Sequence, residues 1–341
     1  MNLSLRKAGP HTQHFFFLFL LLFSIYSRNG FCQDNSVLNG KIICLDPGHG
    51  GTAAIDSYRV GPTGEREEWI NLRVGLYLKK MLEKQGATVL MTREADVQVA
   101  LADRAELAVD RNADVFISIH HNATADRSVN FPILYFHGSA MENEASVSLG
   151  KLIAKEFRET LFDSEGPVSL VSDFAIFPNA GAGVLRGTYG IPSILAEASF
   201  FSNADEEKRL KKKRYNKREA KAYINALTTF FEKEEIPPIR EKSHPLTIPP
   251  FQVFQEAERM RPEALLWKEN YLKGKELVEQ GDPSLLGEAM EYLDLSVRSF
   301  ADSYVAREVH ILRSKILQMQ GKEDESATEA LRAEAFYVPF P

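Results

Sequence analysis

Leu45-Asp46-Pro47-Gly48-His49-Gly50-Gly51 closes an apolar run that begins at Ile42 and turns it into a glycine-rich loop carrying one histidine. A short apolar run bounded by turn residues reads as a buried strand. Glycines at 48, 50 and 51 permit backbone conformations closed to other residues and a close approach to a ligand. His49 is therefore displayed at a strand's end, where open α/β sheets gather their ligands. Outward from this stretch, from Lys41 to about Glu235, short apolar runs alternate with longer amphipathic ones, which is the pattern of helices layered on a sheet.

Strands are expected at Ile42 to Leu45, Thr88 to Met91, Val115 to Ile119, Phe131 to Phe136 and Ser193 to Ala196. Helical spacing covers Trp69 to Lys84, Leu101 to Arg111, Glu142 to Thr160 and Ala204 to Phe231, the last with Asn203 and Asp205 placed to cap its first turn. Prolines crowd 236–252, where neither helix nor central strand can continue, so a linker is expected there. Residues 253–341 read as helices. Ala289, Leu293 and Ser296 have the spacing of a helical hairpin, and Ala327, Leu331 and Glu334 repeat it at an offset that fits tetratricopeptide repeats poorly. The expected fold class is α/β, a mostly parallel sheet flanked by helices over 37–235, followed by a small all-α C-terminal domain.

Arg6 and Lys7 precede an apolar run from Phe15 to Tyr26, and no acid occurs before Asp34. The run falls short of the roughly 20 residues that span a bilayer, so 1–32 reads as a secretory signal peptide, with no membrane span once it is removed. Export to the periplasm or cell envelope follows, and Cys32 admits lipid attachment as an alternative fate. With only two cysteines, Cys32 and Cys44, no disulfide framework is expected. A net charge of -6 without a dense basic stripe argues against a nucleic-acid partner.

Besides His49, three elements carry chemistry. Glu67 stands just before an amphipathic helix, with Glu65 and Glu68 as rivals. The run Asp114 to Ala123 is a second apolar strand ending in histidine. Because side chains alternate along a strand, His120 and His121 should point to opposite faces, and only one can join His49. Two imidazoles and a carboxylate suit a catalytic Zn²⁺ site that leaves one position open. Glu197 ends another apolar run, where a charge needs a partner.

Taken in order, the segment around His49, Glu67 to Leu72, Met91-Thr92-Arg93, Ser118 to Ala123 and Ile191 to Asn203 resemble the zinc-dependent N-acetylmuramoyl-L-alanine amidases of the type 3 family, over about residues 40–232. The resemblance implies His49, Glu67 and His120 as metal ligands and Glu197 as the catalytic carboxylate. Asn122 is a candidate for orienting substrate. It further implies peptidoglycan as substrate, cleaved at the amide joining N-acetylmuramic acid to L-alanine in wall remodelling or daughter-cell separation. Two departures stand out: no glycine occurs between Thr124 and Asn130, and alanines flank Glu197. A zinc peptidase acting on another wall amide, or a non-catalytic wall-binding scaffold, are the competing readings. A segment around Phe162 to Ala182 has room to cover the site, and the C-terminal helices offer a surface for a protein partner.

Overall fold

The computed structural model describes residues 36–52, 59–240, 248–259 and 261–340. The expected signal peptide and Cys32 lie outside them, as does part of the expected linker. In chain order the elements are β1 (Ile42–Pro47), α1 (Glu67–Glu83), β2 (Thr88–Met91), α2 (Leu101–Asp110), β3 (Val115–Asn122), β4 (Ile133–Phe136), α3 (Glu144–Leu161), β5 (Ser169–Ser172), α4 (Gly183–Gly187), β6 (Ser193–Phe200), α5 (Ala204–Leu210) and α6 (Lys213–Phe231). The C-terminal part adds α7 (Glu256–Arg259), α8 (Pro262–Leu265), α9 (Trp267–Glu279), α10 (Leu286–Ser299), α11 (Ala306–Met319), α12 (Glu323–Ala335) and β7 (Tyr337–Val338).

One seven-stranded sheet runs in the order β2-β1-β3-β6-β4-β5-β7. The pairs β1–β2, β1–β3, β3–β6 and β4–β5 are parallel, while β4 meets β6 and β7 meets β5 antiparallel. This is the mostly parallel α/β sheet expected. Parallel neighbours need a crossover of a dozen residues or more, and α1 and α3 fill that role. Alternation along the strands sorts residues onto two cores. Ile43, Leu45, Ile117, Ile119, Ile194 and Ala196 face α1, α3 and α6, whereas Cys44, Phe116, Ile133 and Tyr135 face α4 and the C-terminal helices. Cys44 is a free thiol in that second core, and burial there, with the Asp46 charge nearby, pushes it up to about 12.

Helix α1 shows how packing places chemistry. Ile70, Val74, Leu78 and Leu82 recur four apart and are buried, which pins one face of the helix to the sheet. Gly75 lets the helix approach β1, because a Cβ there would stand 2.8 Å from Pro47 Cγ. The start of α1 is thereby carried to the glycine-rich turn. It begins at Glu67, two residues ahead of the Trp69 expected.

Elsewhere the long helix expected from Ala204 to Phe231 is broken in two. Asn203 Oδ1 accepts from the amides of Asp205 and Glu206 and caps the first piece. The carbonyl of Leu210 accepts from the Asn216 and Arg73 side chains instead of from the next turn, which ends it. Strands β5 and β7 have no counterpart among the expected strands. Each is short, and β7 forms only where the end of the chain meets β5.

The C-terminal helices share the second core with the sheet through Trp267, Leu293, Val297, Phe300 and Phe336. Consecutive helices pack closely. Gly274 on α9 abuts α10, where a Cβ would meet Leu293 Cγ at 2.7 Å. Ala289, Leu293 and Ser296 are buried, whereas Ala327 and Glu334 face solvent, so the repeated spacing does not mark a repeated buried face. Among the described residues no helix is long and apolar enough to cross a membrane.

Candidate metal centre

The turn after β1 is held in place by buried charge. Asp46, 1% exposed, accepts from Thr92 Oγ1 at 2.6 Å, Arg104 NH1 at 2.7 Å and Ser118 Oγ at 2.7 Å. Arg93 donates to the carbonyls of Pro47 and Gly48, and Arg104 to that of His49. These bonds satisfy the carbonyls of the turn as it leaves the sheet. His49 itself sits at φ 60°, and Gly50 at φ 117°. A histidine in the left-handed region is uncommon and persists only where its surroundings over-determine it.

His49, Glu67 and His120 converge, each offering an atom within 4.8 Å of the others. His49 Nε2 lies 3.1 Å from Glu67 Oε2, and His120 Nδ1 lies 2.9 Å from Glu67 Oε1. The two imidazoles stand edge to face with centroids 4.7 Å apart. Gly48 makes room for one of them, since a Cβ there would fall 2.1 Å from the His120 ring. Asn71, one turn along α1, donates to Glu67 Oε1 and steadies the carboxylate.

The rivals are engaged elsewhere. His121 points to the α1–α6 side, where its Nδ1 meets Asn71 and its Nε2 meets Glu219. Glu65 pairs with Arg73 and Glu68 with Arg66. Glu197 on β6 is the Cα register partner of His120, and its Oε2 is buried without a hydrogen-bond partner among the described residues. Burial, together with the charges of Glu67 and Asp302, pushes the Glu197 carboxyl well above the usual range. Asn122 lines the same cleft, with its Oδ1 taken by the Ala123 amide. The segment from Phe162 to Ala182 supplies β5 and then one wall of the cleft, where Phe177 is 48% exposed.

The donor set fits a divalent cation. Burial would raise the Glu67 carboxyl, but His49 and His120 hold it well below the usual range, so it is ionised. Burial lowers the His120 imidazole, leaving a neutral ring with a lone pair. Deprotonated ligands are what a metal requires. The Arg59 guanidinium marks where positive charge is accepted: its Nε donates to His49 Nε2 at 3.2 Å and stands 3.7 Å from Glu67 Oε2. Two nitrogens and a carboxylate oxygen suit zinc among the common divalent ions.

Sequence reasoning passed over Asp46, Arg104 and Asn71. Asp46 lies inside the glycine-rich motif, so its position offered a signal; Arg104 and Asn71 sit on helices whose polar residues are ordinarily solvent-facing.

The family described as N-acetylmuramoyl-L-alanine amidase (Amidase_3) matches residues 43–229. The chain is 29% identical over 237 residues to the germination-specific N-acetylmuramoyl-L-alanine amidase of Bacillus subtilis, covering 65% of this chain and 92% of that one. To N-acetylmuramoyl-L-alanine amidase AmiC of Escherichia coli it is 28% identical over 223 residues, covering 56% of this chain and 52% of AmiC, about half of that relative's length. An N-acetylmuramoyl-L-alanine amidase from Clostridium difficile 630 shares the fold, with TM-score 0.50 and 24% identity over 58% of this chain and 100% of that one. The matched span runs from β1 to α6 and contains His49, Glu67, His120 and Glu197, and on that match the chain belongs to the Amidase_3 family of N-acetylmuramoyl-L-alanine amidases.

Proposed function

We propose that the protein is a zinc-dependent hydrolase that cleaves the amide between the lactyl group of N-acetylmuramic acid and the L-alanine of the peptidoglycan stem peptide. The observation that carries this reading is the convergence of His49, Glu67 and His120 beside Glu197, a half-buried residue whose Oε2 is buried without a hydrogen-bond partner among the described residues. Zn²⁺ held by the three ligands would supply Lewis acidity, polarising the scissile carbonyl and acidifying water.

The protein's own groups do the rest. Glu197 takes the proton of the attacking water and returns it to the leaving nitrogen of alanine, a task suited to a carboxyl whose proton affinity is raised by burial. His120 and Glu197 share a sheet face, so ligand and base keep a constant separation. Asn122 donates to substrate from the same cleft. Phe177 and Ile176 line the same cleft and offer the substrate an apolar contact.

Peptidoglycan lies outside the cytoplasmic membrane, and the Arg6-Lys7 pair ahead of the Phe15 to Tyr26 run suits delivery there. The test is mass spectrometry of peptidoglycan digested by the metal-loaded protein, with and without chelator. Chelator-sensitive release of intact stem peptides bearing a free N-terminal alanine is expected. Shorter peptides would instead indicate a peptidase, and an unchanged wall would indicate a scaffold.

A further inference from the structure

Behind the metal centre a chain of buried hydrogen bonds runs from helix α6 to Glu67. Glu219 Oε2 lies 3.1 Å from His121 Nε2, His121 Nδ1 lies 2.8 Å from Asn71 Oδ1, and Asn71 Nδ2 lies 3.1 Å from Glu67 Oε1. Glu219, His121 and Asn71 are each 1% exposed or less. The backbone amide of His121 donates to the same Glu67 oxygen at 3.3 Å. The neighbour of His120 in sequence therefore reaches the metal-ligand carboxylate twice, once directly and once through Asn71.

The partners fix where the protons sit. Asn71 Nδ2 faces two groups that only accept, the ionised Glu67 and the Gly48 carbonyl, so the amide nitrogen is on that side and Oδ1 is turned to His121. An amide oxygen has no hydrogen to give, so His121 Nδ1 carries one. His121 Nε2 and Glu219 Oε2 then share a second hydrogen, as imidazolium and carboxylate or as neutral ring and carboxylic acid, and the pair is electrically neutral in both. In both, Nδ1 keeps its hydrogen. The ring is the one hydrogen-bond partner of Glu219 among the described residues, its Oε1 being buried and unbonded. A buried pair adds little stability over apolar residues of the same volume. What this one supplies is direction: Glu219 holds the ring, the ring holds the Asn71 oxygen, and the Asn71 amide nitrogen is thereby kept on Glu67. We propose that Glu219 and His121 are positioning residues for the metal ligand Glu67, acting through Asn71, so that zinc affinity is set in part from α6. This deepens the zinc reading of the site and rests on it.

The experiment titrates zinc calorimetrically into the full-length protein stripped of metal by chelator. Glu219→Leu removes the anchor of the ring and fills its place with an apolar side chain; it is expected to weaken zinc binding about tenfold or more, the scale for the partners of metal ligands. Glu219→Gln keeps a donor for His121 Nε2 and should restore most of that affinity. A second readout needs no variant: in nitrogen NMR spectra of the zinc-loaded protein labelled at histidine, His121 Nδ1 should carry a hydrogen. A purely structural pair would shift the urea midpoint of Glu219→Leu and leave its zinc affinity where it was. Unchanged zinc affinity in Glu219→Leu, an equal loss in Glu219→Gln, or a His121 ring protonated at Nε2 alone overturns the proposal and leaves the zinc site standing. A wild-type protein that takes up no zinc overturns both.

Discussion

His120 on β3 and Glu197 on β6 are register partners on adjacent parallel strands, and their side chains leave the same face of the sheet. One carries the imidazole that meets Glu67 and the other the carboxylate that the metal-ligand set leaves over. Just beyond them the register shifts, so that Asn122 pairs with Phe200. Such an irregularity ends pairing at the mouth of the cleft and turns the chain aside there.

This division of labour separates metal loss from loss of turnover. His49→Ala and His120→Ala are expected to lose the metal, whereas Glu197→Gln keeps it and loses about 10²-fold or more in kcat. Zinc content measured beside kcat decides it, and a Glu197→Gln protein with near wild-type kcat rules out the assigned role.

Gly48→Ala tests the seat of the His120 ring. With a Cβ 2.1 Å from Cε1 and Nε2, the ring must move, and metal affinity should drop about 10- to 100-fold. Gly287→Ala, on α10 with nothing within 4 Å, is the control and should change stability by no more than about 0.5 kcal/mol. Calorimetric zinc titration of both proteins makes the comparison.

Asp46→Ala removes the acceptor of three donors, two of them, the Arg104 guanidinium and the Ser118 hydroxyl, buried. Breaking a buried pair on one side costs about 3–5 kcal/mol, because the partner charge is left uncompensated. Urea unfolding should show this as a lower midpoint, and an unchanged midpoint would mean that water replaces the carboxylate without loss.

Acid stability should depend on Glu329, which is 6% exposed. Burial alone would raise its carboxyl, but the hydrogen bond to His310 and the charge of Arg313 hold it at about 2. Burial also depresses His310, so near neutral pH Arg313 supplies the positive charge. A carboxyl lowered on folding stabilises fully above its unfolded value, about 4.3, and that contribution, up to about 3 kcal/mol, fades as pH falls towards 2. The urea midpoint should drop between pH 6 and pH 3, and Glu329→Gln should start lower at pH 6 and fall less steeply. Parallel curves for the two proteins would count against this source.

By itself the sequence determined the layered α/β class, the strand ends that display His49, His120 and Glu197, and the pairing of two imidazoles with a carboxylate. These are local properties: apolar runs with period two or none, and glycines where the chain must turn. Choosing Glu67 over Glu65 and Glu68, and His120 over His121, needed the family pattern, because the three acids lie within four residues and the two histidines are adjacent. In the fold Glu67 meets the two histidines, while Glu65 pairs with Arg73 and Glu68 with Arg66. Only the tertiary structure decided that Asp46 and Arg104 brace the turn, that Tyr337 and Val338 add β7 to the sheet, and that Val253, Phe254, Gln255, Arg259, Ser299 and Phe300 wall the cleft. Those contacts join residues tens to hundreds of positions apart, where neither periodicity nor turn chemistry carries a signal.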